Sequence, residues 1–303
     1  MTDNIVRAKS AGKEPETPQP KIIENENGIF AKGITFVDEH GYIDKCKAIL
    51  EVVGNLRLKG ETGTGKTTLV HRLAEILDMP LFEVGLTRNV TSWDLLGCDT
   101  LKAGTTELRE GIILQWLKNK NGGILYLDGF NYADPSMICL LESLADFRGS
   151  VWIPEIGKTF VRTEKHYLVI SYNPSEKAGY SGTFLENIAT IRRFEGLVID
   201  YLTAIQERNL IKSHAGNYDF ACKFVEIGRK TRTAYKEGKL RTPLTTGNLL
   251  NYAKLFKHGM SEEDIIEIAS SLFPDEEINL FRSFFESSDE IDVEALKSKK
   301  KDE

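Results

Sequence analysis

Short apolar segments alternate with amphipathic ones between about residues 40 and 200. After Lys66, for example, Leu69, Leu73 and Leu77 recur at helical spacing and form one apolar face. Strands that alternate with helices predict a parallel sheet with helices on both faces. The pattern predicts helices over residues 41–53, 66–77 and 112–119 and after Pro135, strands over 55–59, 81–84, 124–127, 167–171 and 196–200, and a β-hairpin over 151–162.

The chain divides into four segments by pattern. Residues 1–28 are rich in Lys, Glu, Pro, Gln and Asn and lack apolar periodicity, which predicts a disordered leader. Residues 29–200 carry the alternating strands and helices of an α/β domain. Residues 201–290 show helical patterns alone, which predicts a small all-α domain, and residues 291–303 form a charged tail.

Composition narrows the class of protein. Apolar residues make up 41% of the 303 residues, charged residues 28%, and the net charge is −6, values typical of a soluble globular protein. No apolar run approaches the ~18 residues that a membrane-spanning helix needs, and the acidic balance argues against a nucleic-acid partner. The cysteines lack a CxxC pair, which predicts reduced thiols and a cytoplasmic location; they are Cys46, Cys98, Cys139 and Cys222.

A glycine-rich turn joins the predicted strand 55–59 to the predicted helix 66–77. Its sequence, GETGTGKT, fits GxxxxGK[ST] in full. Glycines let backbone N–H groups face phosphate oxygens, Lys66 reaches the β- and γ-phosphates, and the Thr67 hydroxyl is a ligand for Mg²⁺. A chance Gly/Thr-rich turn is the alternative, and the strand–turn–helix context argues against it. The predicted nucleotide-binding residues are Gly60, Glu61, Thr62, Gly63, Thr64, Gly65, Lys66, Thr67 and Thr68.

A carboxylate follows another predicted strand. Ile124–Leu127 is apolar, and Asp128 comes at its C-terminal end, where open α/β sheets bind ligands. P-loop proteins hold Mg²⁺ with such a carboxylate. Asp128 is therefore predicted to bind Mg²⁺ together with Thr67, and the alternative role is an ordinary helix N-cap.

Together these motifs resemble the dynein-related AAA+ ATPases, specifically the MoxR branch and, within it, the CbbQ/NirQ/NorQ and GvpN group. The resemblance covers roughly residues 35–200. GETGTGKTTL is similar to the Walker A motif, GGILYLDG to Walker B, and TSWDLLG, residues 91–97, to the segment after the second strand. LVISYNP, residues 168–174, resembles the sensor 1 strand, IRRFEGLVIDY the arginine-finger segment, and the predicted hairpin the pre-sensor hairpin.

The resemblance implies a P-loop NTPase fold: a sheet domain followed by an all-α lid. It also implies a homo- or hetero-oligomeric ring, commonly a hexamer, with ATP and Mg²⁺ as cofactors. Asn173 is implied to read the γ-phosphate and orient water, and Arg192 or Arg193 to be offered as an arginine finger to the neighbouring subunit. Surface ion pairing is the alternative role for the two arginines. A client enzyme and a partner with a von Willebrand A domain are implied as well.

Two positions depart from the family pattern. The family's Walker B motif ends in Asp-Glu, and its Glu acts as general base. Here Gly129 follows Asp128, and the nearest candidates to replace that Glu, Glu142 and Glu155, do not lie at the strand end. The family's lid helix usually begins Ser-Thr-Arg, whose Arg is sensor 2, whereas Thr245-Thr246-Gly247 stands in this sequence.

Arg241 lies a few residues upstream and is a candidate to replace the sensor 2 arginine. The more ordinary interpretation places it in a basic stretch that forms a solvated helix face, and docking of a partner or binding of phosphate is the alternative role for that stretch. That stretch consists of Arg229, Lys230, Arg232, Lys236, Lys239 and Arg241. The two departures predict a chain that binds ATP and hydrolyses it slowly.

Three functions are compatible with these features. The first is an ATP-driven remodelling chaperone of MoxR type, and the second is a non-hydrolysing, nucleotide-stabilised structural subunit of a mixed ring. The third, a component of a nucleic-acid machine, is disfavoured by the acidic balance and the lack of a DNA-binding motif. Aromatic residues are expected mostly in the core rather than facing a partner; they are Trp93, Trp116, Trp152 and the cluster Phe281–Phe285.

Overall fold

The computed structural model describes residues 21–25, 28–32, 35–102, 105–154, 156–173 and 188–286. Its strands are β1 Lys21–Asn25, β2 Gly28–Lys32, β3 Asn55–Lys59, β4 Leu81–Gly85, β5 Gly97–Lys102, β6 Thr105–Glu110, β7 Gly123–Asp128, β8 Ser150–Ile153, β9 Lys158–Val161, β10 His166–Tyr172 and β11 Glu195–Val198. Its α-helices are α1 Tyr42–Val52, α2 Lys66–Ile76, α3 Ser92–Leu96, α4 Ile112–Lys118, α5 Pro135–Ala145, α6 Ile188–Ile191, α7 Ala204–Ala215, α8 Tyr218–Lys236, α9 Thr246–Lys257, α10 Glu262–Ser270 and α11 Asp275–Glu286.

Five parallel strands form the centre of the main sheet, in the order β4-β7-β10-β3-β11. All five predicted strands are present, and the predicted parallel sheet with helices on both faces is confirmed. Lys59 pairs with Tyr172, and Asp128 pairs with Gly85. The segments that follow β3, β7 and β10 therefore leave the sheet at the same edge, which is the ligand-binding edge of open α/β sheets.

An antiparallel hairpin extends the sheet beyond β4. β1 pairs with β2, and β2 pairs with β4. β1 lies inside the segment predicted to be a disordered leader, so that prediction is wrong for residues 21–25, while residues 1–20 lie outside the described part. Two short apolar segments, Ile22-Ile23 and Ile29-Phe30, separated by a polar stretch that ends in a glycine, are the sequence signal for this pairing.

Alternate residues of β7 pack into different cores, because successive side chains of a strand point to opposite faces of the sheet. Leu125 and Leu127 belong to the core beneath α3, α4 and α5. Ile124 and Tyr126 belong to the core beneath α1 and α2. All four side chains are fully buried, so α2 is held firmly against the strand that ends in Asp128.

Residues 204–286 contain the predicted helices, with no strand among them. α7–α11 enclose a core of their own, in which the rings of Phe220, Phe224 and Phe256 stack. Side chains that accept a backbone hydrogen bond fix where four of these helices begin: Thr203, Asn217, Thr245 and Ser261. The all-α domain predicted from the helical periodicity is thereby confirmed over its described residues.

Some aromatic side chains lie in the core and others at the surface. Trp116, Phe281 and Phe285 are buried, as predicted. Trp93 is 60% exposed at α3 and Trp152 is 56% exposed on β8, so the expectation of core positions is wrong for these two residues. The hairpin of β8 and β9 matches the one predicted over residues 151–162.

The short helix α3 and the hairpin of β5 and β6 were not predicted. α3 has five residues and depends on a capping box formed by Thr91 and Asp94, and β6 is mostly exposed, so neither carries a clear apolar period.

Cys46, Cys98 and Cys222 are free thiols. Over the described ranges, no helix combines the length and apolarity that crossing a membrane requires, and no cluster of metal-binding side chains was found there.

Candidate functional site

The P-loop, residues 60–65, leads from β3 into α2, which begins at Lys66. A cavity of about 330 Å³ opens beside the loop, between the sheet domain and the helical domain. The predicted residues Thr62–Thr68, Asp128 and Asn173 line it together. Its other walls include the apolar Phe36 and Val37 from the sheet domain and Leu202, Leu210 and Leu250 from the helical domain.

Lys66 is buried, and all three of its ammonium donors are used. Its Nζ donates to the carbonyl oxygens of Gly60 and Glu61, at 2.8 and 2.9 Å, and to Oδ1 of Asn173, at 2.9 Å. Burial lowers the pKa of Lys66 to about 8, although the carboxylates of Asp128 and Glu61 oppose that shift. The ammonium is thus fixed at the cavity with little hydration, where a phosphate group would gain most from its charge.

Nucleotide affinity is expected to fall as the pH rises above about 8. Below that pKa the ammonium is charged; above it, a growing fraction of the free protein carries neutral Lys66, and binding a polyphosphate must take up a proton. The dissociation constant should therefore rise by up to about tenfold per pH unit.

Calorimetric titrations at pH 7.0 and 9.0, in two buffers of different ionisation enthalpy, measure this proton uptake directly. Equal affinities at both pH values, with no proton uptake, would contradict an ammonium–phosphate contact at Lys66.

Four oxygen-bearing side chains form a closed hydrogen-bonded group at the end of β7. The Thr67 hydroxyl donates to Oδ2 of Asp128 at 3.3 Å, and the Ser171 hydroxyl donates to Oδ1 of Asp128. The Tyr126 hydroxyl donates to Ser171 at 3.0 Å and lies 3.3 Å from Thr67. Burial, and then the charge of Asp128, raise the pKa of Tyr126 well above its usual range, so its hydroxyl keeps its proton.

This group fits a divalent cation with a preference for oxygen ligands. The Asp128 carboxylate and the Thr67 hydroxyl are adjacent hard oxygen donors that line the cavity, and Mg²⁺ is typically held by one or two such ligands together with nucleotide phosphates. Thr67 and Asp128 would hold the ion, while Ser171 and Tyr126 orient them. Tyr126 and Ser171 were not predicted. In the sequence, Tyr126 lies two residues before Asp128, and Ser171 is a polar residue within an apolar strand.

Asn173 lines two neighbouring cavities. Its side chain accepts from Lys66, and a second, more open cavity of about 830 Å³ adjoins the first and shares Asp128 and Asn173 with it. Nδ2 of Asn131 donates to the Asn173 carbonyl at 3.0 Å, while the buried Oδ1 of Asn131 has no hydrogen-bond partner among the residues that the structure describes. Asn131 was not singled out in the sequence, where nothing distinguishes it from a loop asparagine.

Gly129 lines the second cavity, directly beside Asp128. Its φ of +70° lies in the left-handed region, where it precedes the short 3-10 helix Phe130–Tyr132. A Cβ at this position would lie 3.1 Å from the Tyr132 ring. The backbone here is therefore suited to glycine, and an L-residue would be strained by about 1–2 kcal/mol.

Glu142 does not replace the missing general base. Its Oε1 accepts from the Thr190 hydroxyl at 2.6 Å, and its Oε2 lies 3.7 Å from a guanidinium nitrogen of Arg193. It lines neither of the two cavities. The other sequence candidate, Glu155, lies outside the described residues.

The two candidate arginine fingers differ in their surroundings. Arg193 donates to the Ala189 carbonyl at 2.5 Å and pairs with Glu142. Arg192 is exposed. Their role toward a neighbouring subunit stays a prediction.

The basic stretch is not one solvated face, which corrects the sequence interpretation. Arg232 is only 5% exposed and forms a bidentate ion pair with the fully buried Glu207. Arg241 pairs with Glu276 and Glu277 of α11 and does not line the nucleotide cavity. The sequence could not separate Arg232 from its neighbours, because its partner lies 25 residues away.

Comparison with known proteins agrees with this geometry. Residues 55–194 match the AAA domain of the dynein-related subfamily. An uncharacterised protein of Staphylococcus aureus strain bovine RF122 / ET3-1 is 29% identical over 200 residues, which cover 64% of this chain and 74% of that protein. An uncharacterised protein of S. aureus strain USA300 is 28% identical over 203 residues, with the same coverage of both chains.

A solved structure from Cytophaga hutchinsonii ATCC 33406, named as a candidate ATPase, is similar at 17% identity and a TM-score of 0.47, over 77% of this chain and 81% of that one. That likeness is too distant to bear on function. The domain match, by contrast, spans the P-loop, Asp128 and Asn173 and ends at Phe194. The domain match and the observed sheet, P-loop and helices support an AAA+ P-loop fold for residues 55–194, followed by a helical domain.

Proposed function

We propose that this chain binds ATP with Mg²⁺ between its sheet domain and its helical domain. The proposal rests on one observation above all: the neighbours Lys66 and Thr67 line one cavity with Asp128 and Asn173, which come from distant parts of the chain, and Lys66 contacts Asn173 while Thr67 contacts Asp128. Lys66 would bind phosphate oxygens, and Thr67 with Asp128 would hold the ion. The apolar wall around Phe36 provides a surface suited to a nucleobase rather than to free phosphate.

We further propose that the chain acts in a cytoplasmic, MoxR-type ring, commonly a hexamer, that remodels or activates a client enzyme, with a von Willebrand A-domain protein as partner. This part rests on the motif resemblance. The exposure of Arg192 favours it over Arg193 as the group offered to a neighbouring nucleotide, because Arg193 is already paired with Glu142. A guanidinium there would stabilise charge on the transferring phosphoryl group.

Hydrolysis by this chain is proposed to be slow. Gly129 lacks the carboxylate that would activate water beside Asp128, and the loss of a general base costs about 10²–10⁴ in rate. Applied to a typical turnover of about 10 s⁻¹, that loss leaves about 10⁻³–10⁻¹ s⁻¹. The second candidate function, a nucleotide-holding structural subunit of a mixed ring, is favoured by the same glycine and by the remote position of Arg241.

Phosphate release at saturating Mg-ATP, at protein concentrations that allow rings to form, tests the role of Gly129. The variant Gly129→Glu introduces a carboxylate, and Gly129→Ala imposes the same left-handed strain without one. We expect the glutamate variant to release phosphate at least about tenfold faster than the alanine variant, within the range of general-base effects.

Two results would contradict the proposal. Wild-type turnover near 1 s⁻¹, abolished by Lys66→Ala, would mean that another group activates water. Equal rates for the glutamate and alanine variants, with ATP bound to both, would mean that the missing carboxylate does not limit hydrolysis.

A further inference from the structure

Tyr201 connects the P-loop to the helical domain. It lies between the last strand of the sheet, β11, and the first helix of the helical domain, α7. Its hydroxyl donates to the backbone carbonyl of Thr62 at 2.6 Å. Thr62 belongs to the P-loop and lines the nucleotide cavity, so a side chain from the domain junction directly fixes the phosphate-binding backbone.

The face of the Tyr201 ring packs against Arg232. The guanidinium carbon lies 4.0 Å from the ring centroid, a close cation–π contact. The same guanidinium donates to both carboxylate oxygens of Glu207, at 2.8 Å each, and to the Leu244 carbonyl at 2.9 Å. Arg232 thus joins Tyr201 to α7, to its own helix α8 and to the segment that enters α9.

A second contact joins the P-loop to the start of α9. The Thr246 hydroxyl donates to Glu207 at 2.6 Å. The residue before it, Thr245, lies so close to the P-loop that a Cβ on Gly63 would be 2.3 Å from the Cβ of Thr245. Only glycine fits this approach, and its φ of +79° is also one that glycine favours.

These contacts converge on the buried pair Arg232–Glu207. From the P-loop, Thr62 reaches the pair through Tyr201, and Gly63 reaches it through Thr245 and Thr246. The two P-loop residues are adjacent in the chain and line the cavity, as do Thr246, Gly247 and Leu250 of the helical domain.

We propose that Tyr201, held by the Arg232–Glu207 pair, is a positioning residue that couples the P-loop to the helical domain. It keeps the helical wall of the cavity in place and passes the nucleotide state of the P-loop to α7, α8 and α9 without an arginine at the start of α9. The inference rests on the proposed nucleotide binding. The coupling is reciprocal. The free energy by which the helical domain strengthens nucleotide binding equals the free energy by which bound nucleotide stabilises the helical domain in this position.

The test compares hydrogen exchange with and without Mg-ATP in the full chain and in Tyr201→Phe, which retains the ring and loses only the hydroxyl. In the wild type, ATP should slow amide exchange in residues 204–257. In Tyr201→Phe, at least half of that protection should be lost, and ATP affinity should fall about 2- to 10-fold, the worth of one hydrogen bond. The melting temperature without nucleotide should stay within about 2 °C of the wild type, a small shift for a domain of this size.

Tyr252→Phe is the matched control. Tyr252 lies in the core of the helical domain and packs against Phe224, away from the P-loop, so the same chemical change there should leave the ATP-induced protection intact. Full protection in Tyr201→Phe at saturating ATP would overturn the coupling role and leave the nucleotide site standing. Failure of the wild type to bind ATP would overturn the proposed function and this inference together.

Discussion

Replacing Lys66 by alanine is expected to weaken ATP binding by about 10- to 100-fold. Charge-assisted hydrogen bonds are worth about 1.5–3 kcal/mol each in proteins, and the ammonium of Lys66 is fixed at the cavity by Gly60, Glu61 and Asn173. A bound phosphate oxygen would replace one of these three acceptors, and alanine removes the donor for that contact. Titration with a fluorescent ATP analogue, with ATP as competitor, measures the loss.

The fold should survive this substitution. Burial lowers the pKa of Lys66 to about 8, so the charged side chain costs the folded state about 3 kcal/mol at neutral pH. Alanine removes that cost together with the three hydrogen bonds, and the melting temperature should not fall. Lys118→Ala, a change in an exposed ion pair with Glu110, is the control for binding. Wild-type affinity in Lys66→Ala would mean that the lysine does not contact phosphate.

Replacing Glu207 by alanine is expected to destabilise the helical domain by about 3–5 kcal/mol, the usual cost of leaving a buried charge without its partner. Glu207 is fully buried and accepts three hydrogen bonds, two from Arg232 and one from Thr246. Without it, the contacts that remain to the Arg232 guanidinium among the described residues are the Leu244 carbonyl and the Tyr201 ring. Urea unfolding followed by circular dichroism, which reports the helical domain most strongly, measures the change.

Two further variants show whether the loss of stability comes from leaving the charge of Arg232 without its partner. Glu226→Ala removes a looser partner of Arg208, at 4.0 Å, whose own side chain is 35% exposed, and should cost less than Glu207→Ala because Glu226 lies closer to solvent than the fully buried Glu207. The double variant Glu207→Leu with Arg232→Met removes both charges and should recover at least half of the stability lost in Glu207→Ala. A cost for Glu207→Ala no greater than that of Glu226→Ala would refute the importance of the buried pair.

The sequence predicted the sheet and the centre of the site because both depend on local patterns. Most of the central strands are short segments rich in apolar residues that alternate with helices, and the P-loop is a contiguous motif whose glycines and lysine serve one backbone shape. Asp128 could be placed at the ligand-binding edge from the order of strands and helices, because it follows an apolar strand of a parallel sheet. Asn173 was implied only by the resemblance of residues 168–174 to the sensor 1 strand.

The parts that were missed depend on contacts between distant residues. Arg232 resembles its solvated neighbours in sequence and is buried only because Glu207 and Tyr201 meet it in space. The left-handed backbone at Gly129 is likewise invisible in the sequence, which shows the missing carboxylate but not the strain that a replacement would meet. β1 was missed for a different reason: its polar surroundings outweighed a short apolar pattern.

Calorimetric titration of ATP into the full chain, with and without Mg²⁺, tests the central claim most directly. We predict one site per chain with a dissociation constant of about 1–100 µM in the presence of Mg²⁺, within the usual range for enzyme substrates. Removal of Mg²⁺ should weaken binding at least about tenfold, because Thr67 and Asp128 then lose the ion they would share with the phosphates. No binding of Mg-ATP up to millimolar concentrations, by a chain that still unfolds cooperatively, would contradict the account.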